Sequence, residues 1–168
     1  MMHVRKLRTA IGLALAGALA FAAYPSISSA QMGSTHIDLF NVEGRFERDI
    51  DVGRPGFGTA GDYAVESQPL LDPDGGSRLG RSITELTIVR PVSRGQDFEI
   101  VVDSTLRLAD GALVLDGGLR YSELLGGGTI PVVGGTGAFA GARGIAVFTA
   151  GTVAGEDGFL LSIDITTG

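Results

Sequence analysis

The sequence contains no cysteine and no tryptophan, and only two histidines. Without cysteine there is no disulfide, no thiolate nucleophile, no iron–sulfur cluster and no Cys-based zinc site. His3 falls in the first eight residues, so His36 is the sole histidine beyond residue 30. A Ser-His-Asp triad or a His-based metal site is therefore not expected. Lysine is scarcer still, because Lys6 is the one lysine of the chain. No apolar run approaches the roughly 20 residues of a membrane-spanning helix. The 27 glycines in 168 residues show no Gly-X-Y period, which excludes a collagen-like chain.

What is present begins with a tripartite segment. Arg5, Lys6 and Arg8 form a basic head without an acid, followed by an apolar run from Ile11 to Ala23 and then by small residues at Ser28 and Ala30. A basic region, an apolar stretch of this length and a small-x-small exit describe a secretory signal peptide. The reading is a signal over residues 1–30, cleaved after Ala30, and one domain over residues 31–168; a retained N-terminal anchor is the alternative. Localisation is then secreted or periplasmic. Removing the three basic residues takes the formal charge from -6 to -9, leaving 10 arginines against 19 acids. So acidic a surface argues against nucleic acid and against anionic membranes, since phosphate contacts need clustered Lys or Arg. High Ala, Gly, Arg and Val with almost no Lys suggests a GC-rich bacterial genome.

Beyond residue 30 the dominant signal is period-two alternation. In Asp97–Leu108, Phe98, Ile100, Val102, Leu106 and Leu108 take one face and Asp97, Glu99, Asp103, Thr105 and Arg107 the other, as the pleat requires. Asp110-Gly111 supplies a tight hairpin turn to a partner strand over Ala112–Tyr121. The same pattern places strands at Ile37–Phe46, Gly61–Leu70, Leu79–Val89, Gly128–Val133, Arg143–Ala150 and Phe159–Ile165, punctuated by Gly, Pro and Asp clusters. Eight short strands without a long helix indicate an all-β fold: an antiparallel sandwich or, preferred here, a closed eight-stranded barrel. Closure removes exposed edges and leaves a lumen for one small ligand.

The densest motif runs from Ile130 to Gly144. Its glycines are not a phosphate loop. A Walker motif needs a lysine, and the dinucleotide fingerprint needs a parallel βαβ context that about nine intervening residues cannot supply. The segment Gly134-Gly135-Thr136-Gly137-Ala138-Phe139, with Ala142-Arg143-Gly144, resembles an element shared by plant dirigent proteins and allene oxide cyclases. Leu79-Gly80-Arg81 and the pairing of Gly61-Asp62 with Gln68-Pro69-Leu70 add to the likeness, which spans about Glu43 to Ile165. The resemblance implies an up-and-down eight-stranded antiparallel barrel, a homo-oligomer (trimer or dimer), an apolar cavity for a hydrophobic small molecule, and no cofactor. It also implies that such a barrel supplies orientation and a few polar groups for ring closure or radical coupling.

Candidate catalytic residues follow. Arg143 sits in the matched Ala-Arg-Gly, where a guanidinium could stabilise developing oxygen charge; an inter-strand ion pair is the alternative. Glu43 lies on the first strand, where the cyclases place a glutamate; the favoured alternative is a solvated face with Asn41, Arg45 and Glu47. Glu85 shares a face with Ile83, Thr87 and Val89, so it reads as a carboxylate in apolar company, able to act as acid or base. Gln68 falls where the cyclases have a pocket amide, and Tyr121 could donate a hydrogen bond or pack. These two are the candidate substrate-binding residues. No metal ligands are assigned. Ala138 stands where dirigent proteins often carry an acid, a departure that counts against acid-assisted proton transfer from that position. The functional expectation is an exported isomerase or cyclase without a cofactor; the alternatives are a non-catalytic barrel for a hydrophobic ligand and a structural barrel.

Overall fold

A computed structural model describes residues 33–44, 47–53, 58–93 and 97–168. The expected signal segment and its cleavage point lie outside the described residues. The chain forms β1 (Gly33–Val42), β2 (Arg48–Ile50), β3 (Tyr63–Leu71), β4 (Arg78–Ser93), β5 (Asp97–Leu108), β6 (Gly111–Arg120), α1 (Tyr121–Gly126), β7 (Gly128–Gly137), β8 (Arg143–Val153) and β9 (Glu156–Thr167). From β3 to β9 each strand pairs antiparallel with the next, and β1 pairs antiparallel with β9 from Gly33↔Thr167 to Val42↔Gly158. The ring closes where β1 also meets β3, at Phe40↔Leu71 and Asn41↔Leu70. The result is a closed eight-stranded antiparallel barrel.

The short β2 pairs with β3 from Arg48↔Val65 to Ile50↔Tyr63. It resumes the path of β1 along β3 after a break, and the alternation pattern did not reveal it. β1 itself runs over Gly33–Val42 rather than Ile37–Phe46, and residues 45 and 46 lie outside the described set. The strand expected to continue to Tyr121 stops at Arg120, because Tyr121 opens α1. That turn is fixed at its start by carboxylates. Asp97 accepts hydrogen bonds from Ser122 N (3.0 Å) and Ser122 Oγ (2.9 Å), and Glu123 accepts one from Arg120 N at 2.7 Å, satisfying donors that a helix start leaves open.

Inward positions follow the pleat. Leu39, Leu70, Leu106, Leu113, Val132, Ile163 and Ile165 are each no more than 2% exposed and fill the half of the barrel nearer the β5–β6 hairpin. The glycine motif belongs to this end. A Cβ on Gly135 would lie 2.3 Å from Phe139 O and 2.8 Å from Ala112 O, so only glycine permits the strands to approach there. Gly137, at φ 61°, turns the chain in the left-handed region. The cluster is thus a device for close backbone packing.

Candidate functional site

Between this packed end and α1 the interior is not completely filled. A cavity of about 90 Å³ lies among residues of every strand of the ring, with Leu124 of α1 over it. Most of its wall is apolar: Leu86, Val102, Leu115, Ile130, Ala146, Phe148, Phe159 and Leu161. Phe148 and Phe159 meet edge to face, with centroids 6.1 Å apart and planes at 83°, a favoured aromatic geometry. The polar groups gather on the wall formed by β1, β3, β4 and β5: Asn41, Glu66, Thr84 and Ser104.

These polar groups are held in place. The Thr84 and Ser104 hydroxyls share a hydrogen bond of 2.8 Å, and the two residues are direct partners in the β4–β5 register. Just below, the buried Ser82 donates to Asn41 Oδ1 at 2.7 Å. Gln68, also buried, lies under the chain that leaves β1: a Cβ on Gly44 would fall 2.0 Å from its side-chain amide. Glycine at 44 therefore lets the backbone cross directly over Gln68.

Glu66 differs from its neighbours. It is the one ionisable side chain among the described residues that line the cavity, and it is only partly exposed. Burial holds its carboxyl above the usual carboxylate range, and the nearby Glu43 carboxylate pushes it further the same way. A carboxyl whose protonated form burial favours, set beside an apolar cavity, can donate a proton to a developing oxygen charge, or take one once ionised.

The residues expected from sequence are distributed differently. Gln68 faces the interior, one position along β3 from the cavity wall on the same face as Glu66. Tyr121 is half-buried at the start of α1 and packs against Phe98, ring centroids 6.0 Å apart, so it supports the barrel end. Glu43 follows the last residue of β1; it is exposed, and its backbone N–H bonds to Asp157 O at 2.7 Å. Its connection to the cavity is electrostatic, through Glu66.

Arg143 and Glu85 stand on the outside. Arg143 is exposed and donates from Nη1 to Ala142 O at 2.7 Å; it alternates with the exposed Ile145 and Val147, while Ala146 and Phe148 point inward. Glu85 is exposed and bonds the Tyr63 hydroxyl, while Ser82, Thr84, Leu86 and Ile88 take the inner face of β4. The Ile83–Val89 row, which put Glu85 in apolar company, is the outer one. Both faces of β4 carry apolar residues, so alternation alone could not choose. Asn41, Thr84, Ser104 and Glu66 were not foreseen. One signal was available for Glu66: period two puts it on the face of Gln68, already assigned to the interior.

Another carboxylate is structural. Asp62 is fully buried and accepts from the backbone N–H groups of Val52 (2.8 Å), Gly58 (2.9 Å) and Thr59 (2.6 Å). Those bonds, that from Val52 foremost, hold its carboxyl below the usual range. It pins Val52, Gly58 and Thr59 to the barrel end.

These features define a closed barrel whose interior is solid at one end and hollow, with a one-sided polar wall, at the other. No family model matches the chain, and no curated protein matches it in sequence. Solved structures do share its fold. Pyocyanin demethylase superposes with a TM-score of 0.63 at 19% identity, covering 77% of this chain and 99% of its own. The pterocarpan synthase dirigent protein GePTS1 gives 0.60 at 18% identity, with 83% and 88% covered. The Diels–Alderase AbmU from Streptomyces koyangensis gives 0.60 at 14% identity, with 83% and 71% covered. The chain thus has the fold of the dirigent and cyclase barrels.

Proposed function

We propose that the chain is an exported barrel that binds a hydrophobic small molecule in its lumen and steers a ring closure or coupling of that molecule. Glu66 is assigned as the acid or base. The carrying observation is the placement of Glu66 as the one ionisable group, among the described residues, on the wall of a mostly apolar cavity. The structural neighbours, which include a dirigent protein and a Diels–Alderase, support the reading through their shared fold. The apolar wall and the Phe148–Phe159 pair would hold the substrate's carbon skeleton. Asn41 and the Thr84–Ser104 pair would orient a polar substituent, and Glu66 would exchange a proton with it. The cavity is smaller than the roughly 150 Å³ of an apolar cavity that accepts benzene, so a larger substrate would extend outward past Glu66. No arginine lines the cavity among the described residues, which favours a ligand without an anionic group there.

The test is a product analysis by chromatography and mass spectrometry across a panel of neutral polyenes and phenols. The parent protein and Glu66→Gln are compared with the outer-face double variant Glu85→Ala/Arg143→Ala. Loss of product with Glu66→Gln and retention by the double variant is expected. The reverse pattern would move the chemistry to the outer face, and binding without conversion by the parent would leave a carrier. Export is checked separately by N-terminal sequencing of protein from the culture medium or periplasm, with Gln31 as the expected first residue.

A further inference from the structure

The outer face of β4, β5 and β6 carries charge in an order that the chain does not satisfy internally. In one row across the sheet, Arg90 on β4 stands opposite Glu99 on β5, and Glu99 stands opposite Arg120 on β6. Signs alternate, and Arg90 grips Glu99 through two hydrogen bonds, Nε to Oε2 at 2.6 Å and Nη2 to Oε1 at 2.5 Å. Further along the same face the pattern inverts. Glu85, Asp103 and Asp116 are consecutive register partners, and so are Arg81 and Arg107. Like charges directly opposite one another destabilise a sheet. Glu85 has a neutral partner in the Tyr63 hydroxyl, and no described residue makes an ion pair with any of these five.

Between the two rows lies a third, in which Ile83, Thr105 and Val114 are register partners and half-buried. The arginine row and the carboxylate row flank it symmetrically, two residues to either side on β4 and on β5. A two-fold axis lying along this middle row therefore maps Arg81 onto the position of Glu85, and Arg107 onto that of Asp103. Two such faces packed at the roughly 10 Å spacing of stacked sheets would oppose Arg81 with Glu85 and Arg107 with Asp103, and would set Asp116 against Ala112. The same operation would lay Ile83, Thr105 and Val114 against their own images.

We propose that this face is a two-fold interface between two copies of the chain, with Arg81 and Arg107 of one protomer against the partner's Glu85 and Asp103. An isologous contact requires a self-complementary patch, which the three rows provide. The unfavourable like-charge rows are then explained as the free state of a paired surface. The proposal is independent of what the lumen holds.

The test is a complementary charge swap followed by sedimentation velocity. The purified protein is compared with Arg81→Glu/Arg107→Glu, with Glu85→Arg/Asp103→Arg, and with an equimolar mixture of the two variants, each checked for folding by circular dichroism. A two-chain mass is expected for the parent, with association weakening as salt rises. Each reversal should weaken association by more than about tenfold, and mixing should restore it. A variant that fails to fold alone but pairs on mixing would also support the interface. A single-chain mass for the parent, an odd-numbered assembly, or retention of the parent's association by both variants would overturn it.

Discussion

The two halves of the barrel are made from the same eight strands yet are packed to different ends. In the half nearer the β5–β6 hairpin, Leu39, Leu70, Leu106, Leu113, Val132, Ile163 and Ile165 interdigitate with almost no exposure. Branched aliphatic side chains meet there from all sides. Next along the strands toward α1, the inward positions carry Glu66, Thr84 and Ser104 on one wall and Ala146 on another, before Ala64, Ile88 and Ile100 close the interior again at no more than 1% exposure. Shorter or polar side chains at those positions leave space that the ring of strands cannot collapse to fill. The lesson is a division of labour along each strand: one end supplies the stability that tolerates a hollow with a half-buried carboxyl at the other.

Leu113 and Leu115 provide the sharpest comparison, since they lie two residues apart on the same face of β6. Leu113 is fully buried in the solid half, whereas Leu115 borders the cavity. Truncating Leu113 to Ala should cost about 3–4 kcal/mol through lost transfer energy and a new void. Leu115→Ala enlarges space that already exists and should cost about 1–2 kcal/mol less. Urea unfolding of both variants measures the difference, and equal losses would mean that the two halves are packed alike.

A second contrast sets Asp62 against Asp72. Removing the buried Asp62 carboxylate leaves three backbone N–H groups at the barrel end without their acceptor. Asp62→Ala should therefore lower the Tm clearly and speed amide exchange at Val52, Gly58 and Thr59. Asp72 accepts from Gly76 N (2.7 Å) and Ser77 N (2.9 Å) in an exposed turn, where water can replace it, so Asp72→Ala should lower the Tm less.

The third prediction concerns Glu66. Its carboxyl is raised in the folded protein, so the folded state binds its proton more tightly than the unfolded chain does. The stability advantage of that proton is complete below the unfolded carboxylate range near 4.5 and is lost as pH rises through the folded value. Glu66→Gln removes the charge and should raise the Tm at neutral pH, with the gain shrinking toward zero at pH 4. A gain that is independent of pH would contradict burial as the cause.

The smallest effect is expected on the outer surface. His36 bonds Asp164 through Nδ1 at 2.7 Å and lies 3.1 Å from Asp38 through Nε2, and these contacts, that with Asp164 first, raise its pKa above 6.5. Its stabilising contribution is present below pH 6.5 and lost as pH rises through the raised value. Being exposed, it should be slight. An NMR titration of the His36 ring should give a midpoint above 6.5, and a midpoint at or below that value would break the assignment.

The architecture is largely legible in the sequence, because β5 and β6 alternate cleanly and Asp110-Gly111 fixes their hairpin. The site is less so. Barrel closure brings Asn41 of β1 beside β3 and β4, a long-range meeting that no local pattern announces. β4 is apolar on both faces, and its register with β5 settles which row is interior: Thr84 opposite Ser104 goes in, Glu85 opposite Asp103 goes out. Glu66 was hidden by its charge, since a glutamate in a strand ordinarily marks the solvent face, although Gln68 two residues on had already placed that face inside.

The central claim, that one half of the barrel is a ligand site and the other is solid, is tested most directly by a methyl NMR titration with a small neutral aromatic such as phenol. Saturable shifts are predicted for Leu115, Ile130 and Leu161 around the cavity, weakened or altered by Glu66→Gln, with Leu113, Ile163 and Ile165 unmoved. Shifts confined to the exposed Val89 and Val101, or spread equally over both sets of interior methyls, would contradict it.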